Sequence, residues 1–98
     1  MNARDAREIT ENSETGKKDN QFCIEMIEAT NKRIKECSEA GDYGLTFSSD
    51  VFYDRFKDGN KTRTFMKLID QYYQSLGYIT LYVPGRMCSN LKISWDVF

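Results

Sequence analysis

Leu76-Gly77-Tyr78-Ile79-Thr80-Leu81-Tyr82-Val83-Pro84-Gly85, followed by Leu91-Lys92-Ile93-Ser94-Trp95, decides the fold of this chain. Gly77 is the residue type that ends a helix, because it takes a left-handed conformation at no steric cost. If it does so here, the next side chain, Tyr78, should touch Tyr73, the hydrophobic contact that accompanies such a stop. Residues 78–83 then alternate. Ile79, Leu81 and Val83 fall on one face, and Tyr78, Thr80 and Tyr82 on the other. Residues 91–95 alternate too, with Leu91, Ile93 and Trp95 on one face and Lys92 and Ser94 on the other. The connection from Pro84 to Asn90 is longer than the usual hairpin loop of two to five residues. A helix docked on a β-hairpin is therefore expected.

Upstream, residues 62–76 read as that helix, with Phe65, Leu68, Ile69, Tyr72, Tyr73 and Leu76 inward or half-inward. Asp58-Gly59-Asn60 reads as a turn. Ser48, Ser49 and Asp50 offer N-caps for a short helix over 50–57 that buries Val51, Phe52 and Phe56. Residues 43–47 alternate as a strand, with Tyr43, Leu45 and Phe47 on one face. Gly41 stops a helix over 20–40, on which Cys23, Ile27, Thr30, Ile34 and Cys37 share one side. A polar helix over 2–14, capped by Asn2, precedes it. Between the two, Gly16 weakens the pattern. Either the first helix ends there or one long helix runs through it.

These elements predict a single α+β domain over 1–98, made of a polar N-terminal helix or extension (1–19) and an α+β core (20–98). Its order is N-terminal helices followed by β-α-α-β-β, with a three-stranded antiparallel sheet covered by helices on one face. This is the order of a winged helix-turn-helix domain.

Ninety-eight residues, 40% of them hydrophobic, suffice for one modest core. The net charge of −1 argues against a dedicated nucleic-acid binder, whose affinity would rest on phosphate contacts. The chain has no histidine, which removes the commonest general base, metal ligand and physiological pH switch. Three cysteines, Cys23, Cys37 and Cys88, form no disulfide framework and point to a reducing compartment, the cytoplasm. No apolar run is long enough for a membrane span, and the opening residues are no signal peptide. Without histidine, Cys88 has no activating base, and the acid pairs Glu25/Glu28 and Glu36/Glu39 read as a solvated helix surface. No catalytic residue, metal site or cofactor is expected.

Two stretches are candidates for binding. Arg55, Lys57, Lys61, Arg63 and Lys67 form a basic cluster, joined by Arg86 in the hairpin loop. In a winged-helix reading, residues 62–76 are the recognition helix and 84–90 the wing. Against it stand Asp54, Asp58 and Asp70 within the cluster, and few base-reading side chains near the predicted helix start. A solvated polar face is the preferred reading. The loop 84–90 is the better candidate for a small anionic ligand or a partner. Gly85 allows a sharp turn, Arg86 can clamp an anion, and Ser89 and Asn90 supply hydrogen-bond groups, with Tyr82, Lys61 and Arg63 beside it. Tyr72 and Tyr73 are adjacent on a helix, so both cannot face the core. One is expected at a surface or interface, Tyr73 being the interface candidate, which favours a homo-oligomer.

The opening Asn2-Ala3-Arg4-Asp5-Ala6-Arg7-Glu8-Ile9-Thr10-Glu11-Asn12, the helix from Ile27 through Asn31-Lys32-Arg33-Ile34-Lys35-Glu36, the Gly41-Asp42-Tyr43 exit, Leu76-Gly77-Tyr78 and the closing Ile93-Ser94-Trp95 resemble a group of small proteins of bacteriophages and prophages. Relatives often have one helix between the first strand and the Leu-Gly-Tyr strand, so Val51–Lys61 is extra length here. The resemblance brings no catalytic residues. It implies a non-enzymatic phage accessory protein that acts by stoichiometric binding in the host cytoplasm. Its expected partner is a host or defence-system protein, or a nucleotide-like signal that it sequesters. A winged-helix DNA-binding regulator and a virion structural component are the alternatives.

Overall fold

A computed structural model describes residues 2–96. Helix α1 (Ala3–Asn12) and helix α2 (Glu14–Glu39) lead into strand β1 (Gly44–Ser48), helices α3 (Asp50–Phe56) and α4 (Gly59–Ser75), and strands β2 (Ile79–Val83) and β3 (Asn90–Ser94). The three strands form one antiparallel sheet in the order β1-β3-β2. The fold is α+β, with the expected order of elements.

The expected contact behind Gly77 is present. Gly77 has φ 93°. The Tyr78 N–H donates to the Tyr73 carbonyl at 3.1 Å and the Gly77 N–H to that of Gln74 at 3.0 Å. The Tyr73 and Tyr78 rings meet edge to face with centroids 5.4 Å apart. This pair of bonds satisfies carbonyls that the helix end would otherwise leave open, and it turns the chain directly into β2.

The register sorts the side chains of the sheet. Leu45 and Phe47 of β1 pair with Ile93 and Leu91 of β3, which pair in turn with Thr80 and Tyr82 of β2. That face lies under α2 and α4. Leu91 and Ile93 are fully buried there, and Trp95 packs against the same core. The other face carries Thr46, Lys92 and the apolar side chains Ile79, Leu81 and Val83, and among the described residues no helix covers it. At the centre of the core, Phe52 stacks on Phe56 at 5.8 Å and lies 5.7 Å from both Phe47 and Phe65. Phe22 of α2 closes this group against Phe52 at 5.9 Å. Aromatic clustering of this kind buries much area from few residues, which suits a chain this short.

Several boundaries differ from expectation. The break between the first two helices falls at Ser13, not near Gly16. The Ser13 hydroxyl accepts from the Gly16 N–H at 2.9 Å, and its extended backbone starts α2, which runs unbroken across residue 19. Gly16 is inside α2 and buried because α1 folds back over it. A Cβ there would collide with the Thr10 carbonyl oxygen. Helix α4 begins at Gly59, three residues before the expected start, because Asp58 caps it. The Asp58 carboxylate accepts from the Asn60 and Lys61 amides at 2.9 and 3.1 Å. Capping outweighs the turn preference of Gly59 and Asn60. Val51, Leu68 and Leu76, expected inward, are exposed. On the short helix α3 the spacing of Phe52 and Phe56 takes the inner side and turns Val51 out.

Candidate functional site

Helix α4 has two unlike sides. Thr62, Phe65, Met66, Ile69 and Tyr73 are buried. At 100° per residue, Asn60, Arg63, Thr64, Lys67 and Gln71 fall within a narrow arc on the opposite side, and all five are exposed. The early start of α4 extends this column, because it places Asn60 on the first turn, one turn before Arg63. A helix over 62–76 already holds Arg63, Thr64, Lys67 and Gln71, so the earlier start adds only Asn60 to them. The signal for that start was the Asp58 carboxylate two and three residues before the amides it caps. Among the described residues, the side chains of Asn60, Arg63, Lys67 and Gln71 make no hydrogen bond or ion pair within the chain.

The rest of the basic cluster has partners within the chain. The Lys61 ammonium bonds the Asp19 carboxylate at 2.8 Å and lies 5.3 Å from the Phe56 ring centroid. Asp19 is only 8% exposed, so the pair ties α2 to the first turn of α4. The Arg55 guanidinium sits 5.2 Å over the Phe22 ring. Lys57 stands 3.9 Å from Asp54, both exposed, and holds the left-handed position, φ 53°, that ends α3. Of the six cations, Arg63 and Lys67 on α4 and Arg86 in the loop are the ones with neither an ion-pair partner nor an aromatic ring beside them among the described residues.

The loop between β2 and β3 is shorter than expected. Asn90 pairs with both Ser48 and Val83, so it belongs to β3 and is half-buried, and residues 84–89 remain as the loop. Arg86 is exposed and Met87 is 96% exposed at its tip. Gly85 is required by close approach, since a Cβ there would collide with the Cys88 carbonyl oxygen. Ser89 is half-buried and its backbone is tied on both sides. Its N–H donates to the Ser49 hydroxyl at 2.8 Å, and its carbonyl accepts from the Ser49 N–H at 2.9 Å. The loop base is thereby fastened to the start of α3, which packs in turn on α4.

Two further expectations need correction. Tyr73 is fully buried, with its hydroxyl donating to the Asn31 side chain at 2.8 Å, so it offers no interface. Burial pushes its hydroxyl up to about 12. Tyr72 is the exposed member of the pair. Tyr82 is partly exposed on β2, on the same sheet face as Leu91. The sequence candidates are held in different ways: Lys61 and Tyr73 are bonded through their side chains, Ser89 and Asn90 are half-buried and bonded through their backbones, and Arg63 and Arg86 are exposed without a partner.

Chemically, this arrangement can hold something but contains no organised nucleophile. The buried Cys23 thiol is raised to about 11 by desolvation, which keeps it protonated and unreactive at neutral pH. No group of three or more His, Cys, Asp or Glu residues that could hold a metal occurs among the described residues. No helix among them is long and apolar enough to cross a membrane. Compared with protein-family models, with curated proteins and with solved structures, the chain matches none.

Proposed function

We propose that the chain binds duplex nucleic acid in the manner of a winged helix, with α4 as the element that enters the major groove. The observation that carries this reading is the column Asn60, Arg63, Thr64, Lys67 and Gln71 on the exposed side of α4. These are the side-chain types that address base edges. Arg and Lys reach the acceptors of guanine, and Asn and Gln pair with adenine. The column spans roughly 16 Å of helix at 1.5 Å per residue, enough to follow several base steps. The order of elements supports the reading, since α3 and α4, joined by Lys57 and Asp58, precede a hairpin that returns through the middle of the sheet. Helix-turn-helix proteins place the second helix of such a pair in the groove.

The net charge of −1 sets the kind of binding. On the proposed surface only Arg63, Lys67 and Arg86 are free to meet the duplex, which gives weak sequence-independent attraction, so affinity depends on base contacts. Selection from a pool of random duplexes tests this. The proposal expects an enriched short motif whose enrichment disappears with Arg63→Ala. A pool that returns unchanged from the wild-type protein at low salt contradicts it.

A second reading has its own support in the open sheet face, where Ile79 and Leu81 are 55% and 57% exposed beside Val83. Exposed apolar rows of this kind suit a protein contact. A phage accessory protein that binds a host or defence-system protein would use this face. Pull-down of one host protein, lost with Leu81→Asp while duplex binding is unaffected, would favour it.

A further inference from the structure

The start of α3 is built unusually. Ser49 occupies the N-cap position, where a serine hydroxyl ordinarily accepts from an amide of its own first turn, a contact worth about 1 kcal/mol. Ser49 makes no such bond. Its hydroxyl accepts instead from the N–H of Ser89, 40 residues away at the base of the β2–β3 loop, at 2.8 Å. Its own N–H donates to the Ser89 carbonyl at 2.9 Å. Ser49 is buried, at 6% exposure. The neighbouring Ser48 hydroxyl takes up the Asp50 amide at 3.2 Å, a longer bond. The helix thus forgoes its best cap, and the hydroxyl is used to hold the loop.

From this geometry we infer that Ser49 is a positioning residue for nucleic-acid binding, one that sets where the loop bearing Arg86 stands relative to α4. The inference rests on the duplex-binding reading above. Physically, the loop of residues 84–89 has two anchors. One is the sheet, in which β3 pairs with β2 on one side and β1 on the other as far as Asn90, and which fixes the stem but not residues 84–89 beyond it. The other is the Ser49–Ser89 pair, one step beyond the Ser48–Asn90 pairing, which fastens the last residue of the loop to the start of α3. Because α3 and α4 share the aromatic core through Phe52 and Phe65, 5.7 Å apart, a loop fastened to α3 is fastened to the recognition helix. Arg86 then meets a phosphate at a set distance from the bases that Arg63 addresses. Without the hydroxyl, the Ser89 N–H has no acceptor, one of two bonds remains, and the loop samples a wider arc. Arg86 pays an ordering cost on binding that the wild-type protein has already met.

A double-mutant cycle on duplex affinity, run with the full chain on its selected duplex, tests this. Arg86→Ala alone should weaken binding about five- to tenfold, the effect of a single phosphate contact. Ser49→Ala alone should weaken it by a similar factor. In the Ser49→Ala background, Arg86→Ala should then cost less than about twofold, because Arg86 is no longer held in place. Ser49→Thr, which keeps the hydroxyl, should restore both affinity and the Arg86 effect. Amide exchange supplies the independent readout: the Ser89 amide should exchange faster in Ser49→Ala, while the amides of Leu91 and Ile93 in the ladder keep their wild-type rates. Strict additivity of the two substitutions, or an unchanged Ser89 amide, overturns the inference and leaves duplex binding standing. A wild-type protein that binds no duplex overturns the reading beneath it, which is a separate result.

Discussion

The Lys61 ammonium and the Asp19 carboxylate meet at 2.8 Å, joining the second turn of α2 to the first turn of α4. The pair has a structural effect and a functional one. It fixes the recognition helix against the N-terminal half of the chain, and it removes Lys61 from the cations available to a ligand. Lys61→Met should therefore lower stability by about 1–2 kcal/mol, an amount below that of a fully buried pair because Lys61 keeps solvent contact. Urea unfolding measures it. Arg63→Ala, two residues on, should leave the urea midpoint within error while weakening duplex binding.

Glycines at two positions on or beside α4 should respond in opposite directions. Gly77 holds φ 93°, and an added Cβ would meet open space, so Gly77→Ala costs only the backbone strain, about 1–2 kcal/mol. Gly59 is the first helical residue, with no positive φ and equally open surroundings. Gly59→Ala should stabilise by about 0.5–1 kcal/mol, since alanine loses less chain entropy on folding. Thermal melts of the two variants should move apart on either side of wild type.

Alkaline pH should unfold the protein through two buried groups. Burial raises Cys23 from 9.0 to about 11 and Tyr73 from 10.0 to about 12. A raised folded-state value means the native protein holds its proton where the unfolded chain releases it. The contribution to stability is complete below pH 9 and is lost progressively between about pH 9 and 12. Tyr73→Phe should remove the upper part of that decline, leaving stability flatter from about pH 10 to 12. It should also cost about 1 kcal/mol at neutral pH through the lost bond to Asn31. Denaturant titrations at stepped pH follow both effects.

The sequence carried the hairpin and its helix stop because both depend on near neighbours: Gly77 with Tyr73 and Tyr78, and the alternation of 78–83 and 91–95. It also carried the element order and the inward face of β3. It did not reveal which face of β2 is covered. Alternation offers Ile79, Leu81 and Val83 as the natural core face, yet the pairing of Thr80 with Ile93 and Tyr82 with Leu91 turns them to solvent. Register of this kind is set between strands, not within one. The binding residues were obscured similarly. Lys61 and Ser89 look available along the chain, and only the fold brings Asp19 to one and Ser49 to the other, across 42 and 40 residues. Of the α4 column only Asn60 depends on a local feature, the Asp58 cap, which competes with the turn preference of Asp58-Gly59-Asn60.

The salt dependence of duplex binding tests the central claim most directly. With Lys67 and Arg86 as the cations that meet phosphate and Arg63 on a base edge, the logarithm of affinity should fall with the logarithm of salt concentration with a slope of about −1.8, or 0.9 per phosphate contact. Lys67→Ala or Arg86→Ala should each flatten it by about 0.9, and Lys61→Met should leave it unchanged. A slope that Lys61→Met flattens while the other two do not, or no duplex binding at about 50 mM salt, would contradict the account.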